Sequence, residues 1–213
     1  MFSIQSISAE TAYTFKNLNL CIEVNYNYSG NAKFWAILDR PDGEAVDTEK
    51  TFAFDGGGTA TLRLPLKFYL PGSYRLRLYV YDENNNCLVS PCPYTIDNFV
   101  EVLPSVEISN INISYDSLYF ETCCRGISRP CVEAIYSFDY NVVNSKPIEI
   151  HMYLVLYGET RTYTKILTLS GSGSKTIRHD FGMFPQQTAD LAITFYVEDV
   201  MVAEANKTFD FFC

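Results

Sequence analysis

Histidine is scarce in this chain: there are two, His151 and His179. Proton transfer and nucleophilic attack usually recruit that side chain. A hydrolase-type nucleophile needs a strained elbow such as GxSxG, and that motif is missing. No catalytic residue is therefore assigned, and an enzyme built on His151 or His179 is a remote alternative. Basic residues are also few, with 16 Lys and Arg against 25 Asp and Glu. The net charge of −9 divides as −4 over residues 1–103 and −5 over residues 104–213. A phosphate-neutralising patch is absent from both halves, which excludes nucleic acid as a partner. No apolar run approaches the roughly 18 residues of a membrane helix. Helical periodicity is missing throughout.

Metal and phosphate signatures are missing too. The seven cysteines lack two separated CxxC-type pairs with nearby histidines, so zinc is not expected. Asp39, Asp42 and Glu44 gather near a turn but lack the order of an EF-hand, and they read as a solvated acidic turn. Gly171-Ser172-Gly173-Ser174-Lys175 lacks the GxxxxGK[ST] spacing and a following helix, and reads as a flexible hairpin turn. No cofactor is expected. The start, Met1-Phe2-Ser3-Ile4, lacks the basic and apolar stretches of a secretory signal. A cytoplasmic location is expected if Met1 is the native start, with a secreted or cell-surface location after signal removal as the alternative.

The cysteines that are present are placed informatively. In Leu18-Asn19-Leu20-Cys21-Ile22-Glu23-Val24 the alternation buries the leucines, Ile22 and Val24 and turns Cys21 outward. The inter-sheet disulfide of antibody domains is thereby excluded from the first half. Cys87 and Cys92 are spaced to clip one local turn. Cys123, Cys124 and Cys131 cluster in CCRGISRPC, and Cys213 ends the chain. Both reduced thiols and one or two disulfides fit this pattern.

What the chain has in abundance is strand. Its 16 Tyr and 15 Phe suit a pleated, half-buried surface. Alternating runs recur at turn spacings of roughly 8–12 residues, the habit of all-β sandwiches. Arg40-Pro41-Asp42-Gly43 reads as a turn and Asp55-Gly56-Gly57-Gly58 as a hairpin turn. Asn144-Ser145-Lys146-Pro147 reads as a loop. Leu76, Leu78, Val80 and Asp82 match Ile193, Phe195, Val197 and Asp199 at an offset of 117, and Tyr26 and Tyr28 match Tyr140 and Val142 at 114. These matches predict two tandem immunoglobulin-like antiparallel β-sandwich domains, 1–103 and 104–213, meeting near Pro104.

One strand carries a possible binding face. If Tyr74, Leu76, Leu78 and Val80 point inward, Arg75, Arg77, Tyr79 and Tyr81 line the outer side. Aromatic faces stack on sugar rings and on partner side chains, and Arg forks read carboxylates and hydroxyls. Trp35 joins this face if Phe34, Ala36 and Leu38 are inside, as the repeat indicates; the other parity puts it in the core. His151 falls opposite Ile150 and Met152 and reads as solvated or interdomain. His179 shares a face with Ile177 and Phe181 and reads as buried and bonded to backbone.

Phe15-Lys16-Asn17-Leu18, Ala36-Ile37-Leu38-Asp39-Arg40-Pro41-Asp42-Gly43 and Tyr69-Leu70-Pro71-Gly72-Ser73-Tyr74-Arg75-Leu76 follow in order within residues 16–102. This grammar resembles the carbohydrate-recognising C-terminal sandwich of O-antigen ABC transporter ATPases. It is similar as well to macroglobulin and other immunoglobulin-like or fibronectin III-like modules. The resemblance implies a non-catalytic recognition role, directed at a glycan, and carries over no family binding residues. The alternative is a protein-interaction, adhesion or assembly module using an outer face or an edge strand, in which the partner is a protein; the oligomeric state stays open.

Overall fold

The computed structural model describes residues 1–122, 128–156, 159–183 and 188–210, with the side chains of 117–122, 128–132 and 183 outside the description. The described chain is all β, without a helix, and divides into two compact units, Met1–Pro104 and Ser105–Cys213. Cys123, Cys124 and Cys213, and the side chain of Cys131, lie outside the described residues.

The first unit contains β1 (Phe2–Ala9), β2 (Ala12–Tyr13), β3 (Asn17–Asn27), β4 (Gly30–Asp39), β5 (Ala45–Phe54), β6 (Gly57–Lys67), β7 (Gly72–Tyr81) and β8 (Tyr94–Leu103). They form two sheets, β1-β3-β6 and β2-β8-β7-β4-β5. Alternation on β3, β6, β4 and β7 aims one apolar row per strand into a shared core. Leu20, Ile22, Leu64, Phe34, Leu38, Leu76 and Leu78 are fully buried in it. Two sheets facing one core leave each an outer side. Asp55–Gly58 is not a hairpin turn, contrary to the sequence reading. β5 pairs with β4 while β6 pairs with β3, so the turn carries the chain from one sheet to the other. Local turn chemistry cannot distinguish a hairpin from a crossover, because partner choice depends on distant strands.

Cys21 lies outward on β3, half-exposed and unbonded, opposite Ser8 and Arg63. Cys87 and Cys92 form a disulfide in the β7–β8 connection.

The second unit contains β9 (Val106–Thr122), β10 (Ser128–Leu156), β11 (Glu159–Met183), β12 (Thr188–Val197) and β13 (Val200–Asp210). Here two sequence expectations fail. Asn144–Pro147 lies inside β10, and Ser170–Ser174 lies inside β11. Both segments are bends in continuous strands. Val142 pairs with Gly171 and Lys146 with Leu169, so Val143, Asn144 and Ser145 bulge opposite Ser170 alone. Asn144 (φ 66°) and Gly171 (φ 67°) take left-handed conformations there. Gly171→Val is expected to destabilise the protein by about 1–2 kcal/mol, and Gly171→Asn by less than half of that, because Asn tolerates this region and a β-branched residue does not. Thermal melts of both variants check this, and a valine variant as stable as the parent would show that the bend does not need the left-handed residue.

The bend explains the weak sequence repeat. The N-terminal half of β10 lies between β9 and the C-terminal half of β11, as β3 lies between β1 and β6. Its C-terminal half lies between the N-terminal half of β11 and β12, as β4 lies between β5 and β7. β13 flanks β12 as β8 flanks β7. The units thus share one pairing order, with two pairs of strands fused in the second. The matched residues occupy equivalent places: Leu76, Leu78 and Val80 are buried on β7, and Ile193, Phe195 and Val197 on β12. Tyr26 pairs with Gly58 and Tyr140 with Gly173. In both pairs the tyrosine hydroxyl lies close to where a Cβ on the glycine would stand, 3.3 and 2.8 Å from it. The glycines are accordingly sheet positions covered by a cross-strand ring.

Candidate binding face

The outer side of β4 and β7 is where the sequence places its candidate residues. Phe34, Ala36 and Leu38 are fully buried, so Trp35 lies on the outer side. Register then sets Lys33 opposite Tyr81, Trp35 opposite Tyr79, Ile37 opposite Arg77 and Asp39 opposite Arg75. The five candidates, Trp35, Arg75, Arg77, Tyr79 and Tyr81, therefore share one surface. The face has an aromatic half and a charged half.

In the aromatic half, Trp35 and Tyr79 have ring centroids 5.3 Å apart and Tyr79 and Tyr81 5.8 Å, the latter nearly parallel at 16°. Trp35 Nε1 donates to Asp47 Oδ2 at 3.0 Å, which fixes the indole against rotation. Lys33 Nζ lies 5.9 Å from the Trp35 ring and pairs with Glu49 at 2.9 Å. All three rings are half-buried, so their edges are held while part of each surface meets solvent.

In the charged half, both arginines converge on one carboxylate. Arg75 Nε and Nη2 donate to Asp39 Oδ2 at 3.0 and 2.6 Å, and Arg77 Nε donates to Oδ1 at 2.7 Å. Desolvation pushes the Asp39 carboxyl upward, but the hydrogen bonds and charges of Arg77 and Arg75 outweigh it and hold it below its ordinary range. The same bonds raise Arg77. A depressed carboxylate contributes stability above its unfolded value, about pH 4, and loses it as the pH falls through the lower folded value. Asp39→Asn is expected to be less stable than the parent at neutral pH, with the gap narrowing below about pH 4. Urea midpoints across that range test it; a gap that persists unchanged into acid would contradict the ion-pair origin.

Beyond Arg75 the face opens into a cleft of about 600 Å³ lined by Asp39, Arg40, Pro41, Ser73, Arg75, Asp97 and Asn98. The cleft comes from a bulge. Tyr74 pairs with Val100 and Leu76 with Ile96, so β8 carries Asp97, Asn98 and Phe99 where β7 has Arg75 alone. Sequence reasoning missed Asp39 as the anchor of the arginines and missed the bulge residues. Asp39 shares Trp35's parity, which was a usable signal; nothing in the sequence announces the bulge.

The carboxylates of the acidic turn are engaged within the chain. Asp39 is taken by the arginines, while Asp42 pairs with Arg40 and accepts from the Glu44 N–H. Among the described residues no three His, Cys, Asp or Glu side chains are arranged to hold a metal.

Both histidines belong to the second unit. His151 lies on the outer side of β10, its Nε2 2.7 Å from Glu149 Oε1 and its Nδ1 3.1 Å from the Tyr153 hydroxyl. His179 departs from the backbone-bonded core histidine expected. It is half-buried and stacks on Tyr163, centroids 3.9 Å apart at 12°, with Phe181 edge-on at 4.6 Å. Burial lowers its pKa, against the opposing charge of Asp180.

No protein-family model matches the chain, and no curated protein matches it in sequence. Among solved structures, a red sea bream transglutaminase is similar over 98% of this chain and 31% of its own, at 11% identity and a TM-score of 0.37. A β-galactosidase described as such from Bacteroides fragilis is similar over 94% of this chain and 34% of its own, at 10% identity and a TM-score of 0.39. The chain spans about a third of the length of each.

Proposed function

We propose that the chain is a tandem of two immunoglobulin-like, fibronectin III-like β-sandwich domains acting as a non-catalytic recognition module, and that its first domain binds glycan on the outer side of β4 and β7. The tandem reading rests on the shared pairing order and on the paired Tyr–Gly positions. The observation that carries the binding reading is the Trp35–Tyr79–Tyr81 ring series running into the Asp39–Arg75–Arg77 cluster on one open sheet face. A pyranose has an apolar face suited to a ring and a rim of hydroxyls suited to charged forks. The rings are held by register and by Asp47, and the arginines by Asp39, so little side-chain freedom is lost on binding. Phosphate ligands are a poorer match, because Asp39 already offsets the arginine charge and acidic residues line the cleft. A glycan array followed by titration calorimetry tests the reading, and an array without hits would sink it.

A further inference from the structure

The N-terminal half of β11 is an edge. β10 lies on one side of it, and among the described residues no strand lies on the other. Natural edges are usually blunted by charge, proline or bulges. β5, which occupies the equivalent place in the first unit, carries Asp47, Glu49 and Lys50 in four residues. From Glu159 to Ser170 the β11 edge carries Glu159, Arg161 and Lys165, with no proline and an unbroken register against β10 from Lys146 to Leu156. Large apolar side chains are exposed on this hairpin: Ile166 at 65%, Tyr163 at 41% and Val155 at 37%.

We propose that this edge pairs antiparallel with the same edge of a second copy of the chain, across a two-fold axis at Thr162. The charge pattern selects the register. With Thr162 opposite itself, Glu159 faces the partner's Lys165, Thr160 faces the partner's Thr164 and Arg161 faces the partner's Tyr163. Each contact occurs twice, as a two-fold axis requires. Opposite charges and Thr–Thr pairs stabilise facing strands, and like charges oppose pairing. Slipping the register while keeping each face on its own side sets Arg161 against itself in one direction and against the partner's Lys165 in the other. The Thr160, Thr162 and Thr164 row would form the outer side of a sheet continuous through both copies. This inference is independent of the glycan reading, which concerns β4 and β7.

Sedimentation velocity of the whole chain across the micromolar range is expected to show a reversible monomer–dimer equilibrium. Glu159→Lys and Lys165→Glu should each weaken it by about tenfold, since each puts two like-charge pairs in the interface. The double exchange should return affinity to within about threefold of the parent, because the two couplings are restored with reversed sign. Glu159 is exposed and its ion pair with Arg161, at 2.9 Å, is a surface one, so E159K preserves the fold and decides alone should Lys165→Glu fail to fold. A monomer at every concentration overturns the proposal. So does a dimer indifferent to the single changes, or one that the double exchange does not recover.

Discussion

Phe34→Ala is expected to lower the stability of the first unit by about 3–5 kcal/mol, the range for deleting a fully buried aromatic ring. Phe34 has no exposed surface and lies among Phe2, Phe52 and Phe54, at centroid distances of 5.5, 5.7 and 6.1 Å. Phe2 comes from β1 of one sheet, and Phe52 and Phe54 from β5 of the other, so the ring ties the two sheets together. A domain of this size is stable by roughly 5–15 kcal/mol, so the loss takes a large share of the total. The chain's single tryptophan, Trp35, belongs to the same unit, so its fluorescence reports that unit separately from the rest. Urea unfolding followed at Trp35 should shift strongly. A loss below about 1 kcal/mol would mean that the core closes over the gap.

The neighbouring residue should behave in the opposite way. Trp35→Ala is expected to weaken glycan binding by about 30-fold or more, the scale of a hot-spot truncation, with little effect on stability. Trp35 is the ring with the largest stacking surface on the face, and it is locked by Asp47 on one side and Tyr79 on the other. Asp47→Ala frees the indole without removing it and should cost a smaller factor of about five, on the order of the roughly 1 kcal/mol of a typical net hydrogen bond. Calorimetry against an array-selected glycan measures both, and circular dichroism confirms that the fold persists. Binding that survives Trp35→Ala would move the site away from this face.

These two adjacent residues show how much of the molecule was legible beforehand. Strand alternation has a period of two, so burying Phe34, Ala36 and Leu38 forces Trp35, Ile37 and Asp39 outward. Tyr79, Tyr81, Arg75 and Arg77 followed from the same rule on β7. Cys21 facing outward is another consequence. Parity, however, says nothing about what lies beside an outward residue. That Arg75 and Arg77 converge on Asp39, and that Trp35 meets Tyr79, depend on β4 pairing with β7, which sets Arg75 and Arg77 beside a carboxylate 36 and 38 residues earlier in the chain.

The turns were harder to read. Asp55–Gly58 and Ser170–Ser174 have similar glycine-rich chemistry, and both read locally as hairpin turns. One is a crossover between sheets; the other is strand, its Gly173 covered by Tyr140. Glycine permits several backbone conformations, and the long-range partner decides which is used.

By itself, then, the sequence determined the strand-rich class, the alternation along each regular run and the weak twofold repeat, because these follow from residue preferences and a period of two; which parity the Trp35 run takes was left to the structure. Tertiary structure alone decided which strands are neighbours, that β10 and β11 bend instead of breaking, and that the β8 bulge opens a cleft beside Arg75. Those outcomes rest on hydrogen bonds between segments far apart in the chain, and no local preference specifies a distant partner.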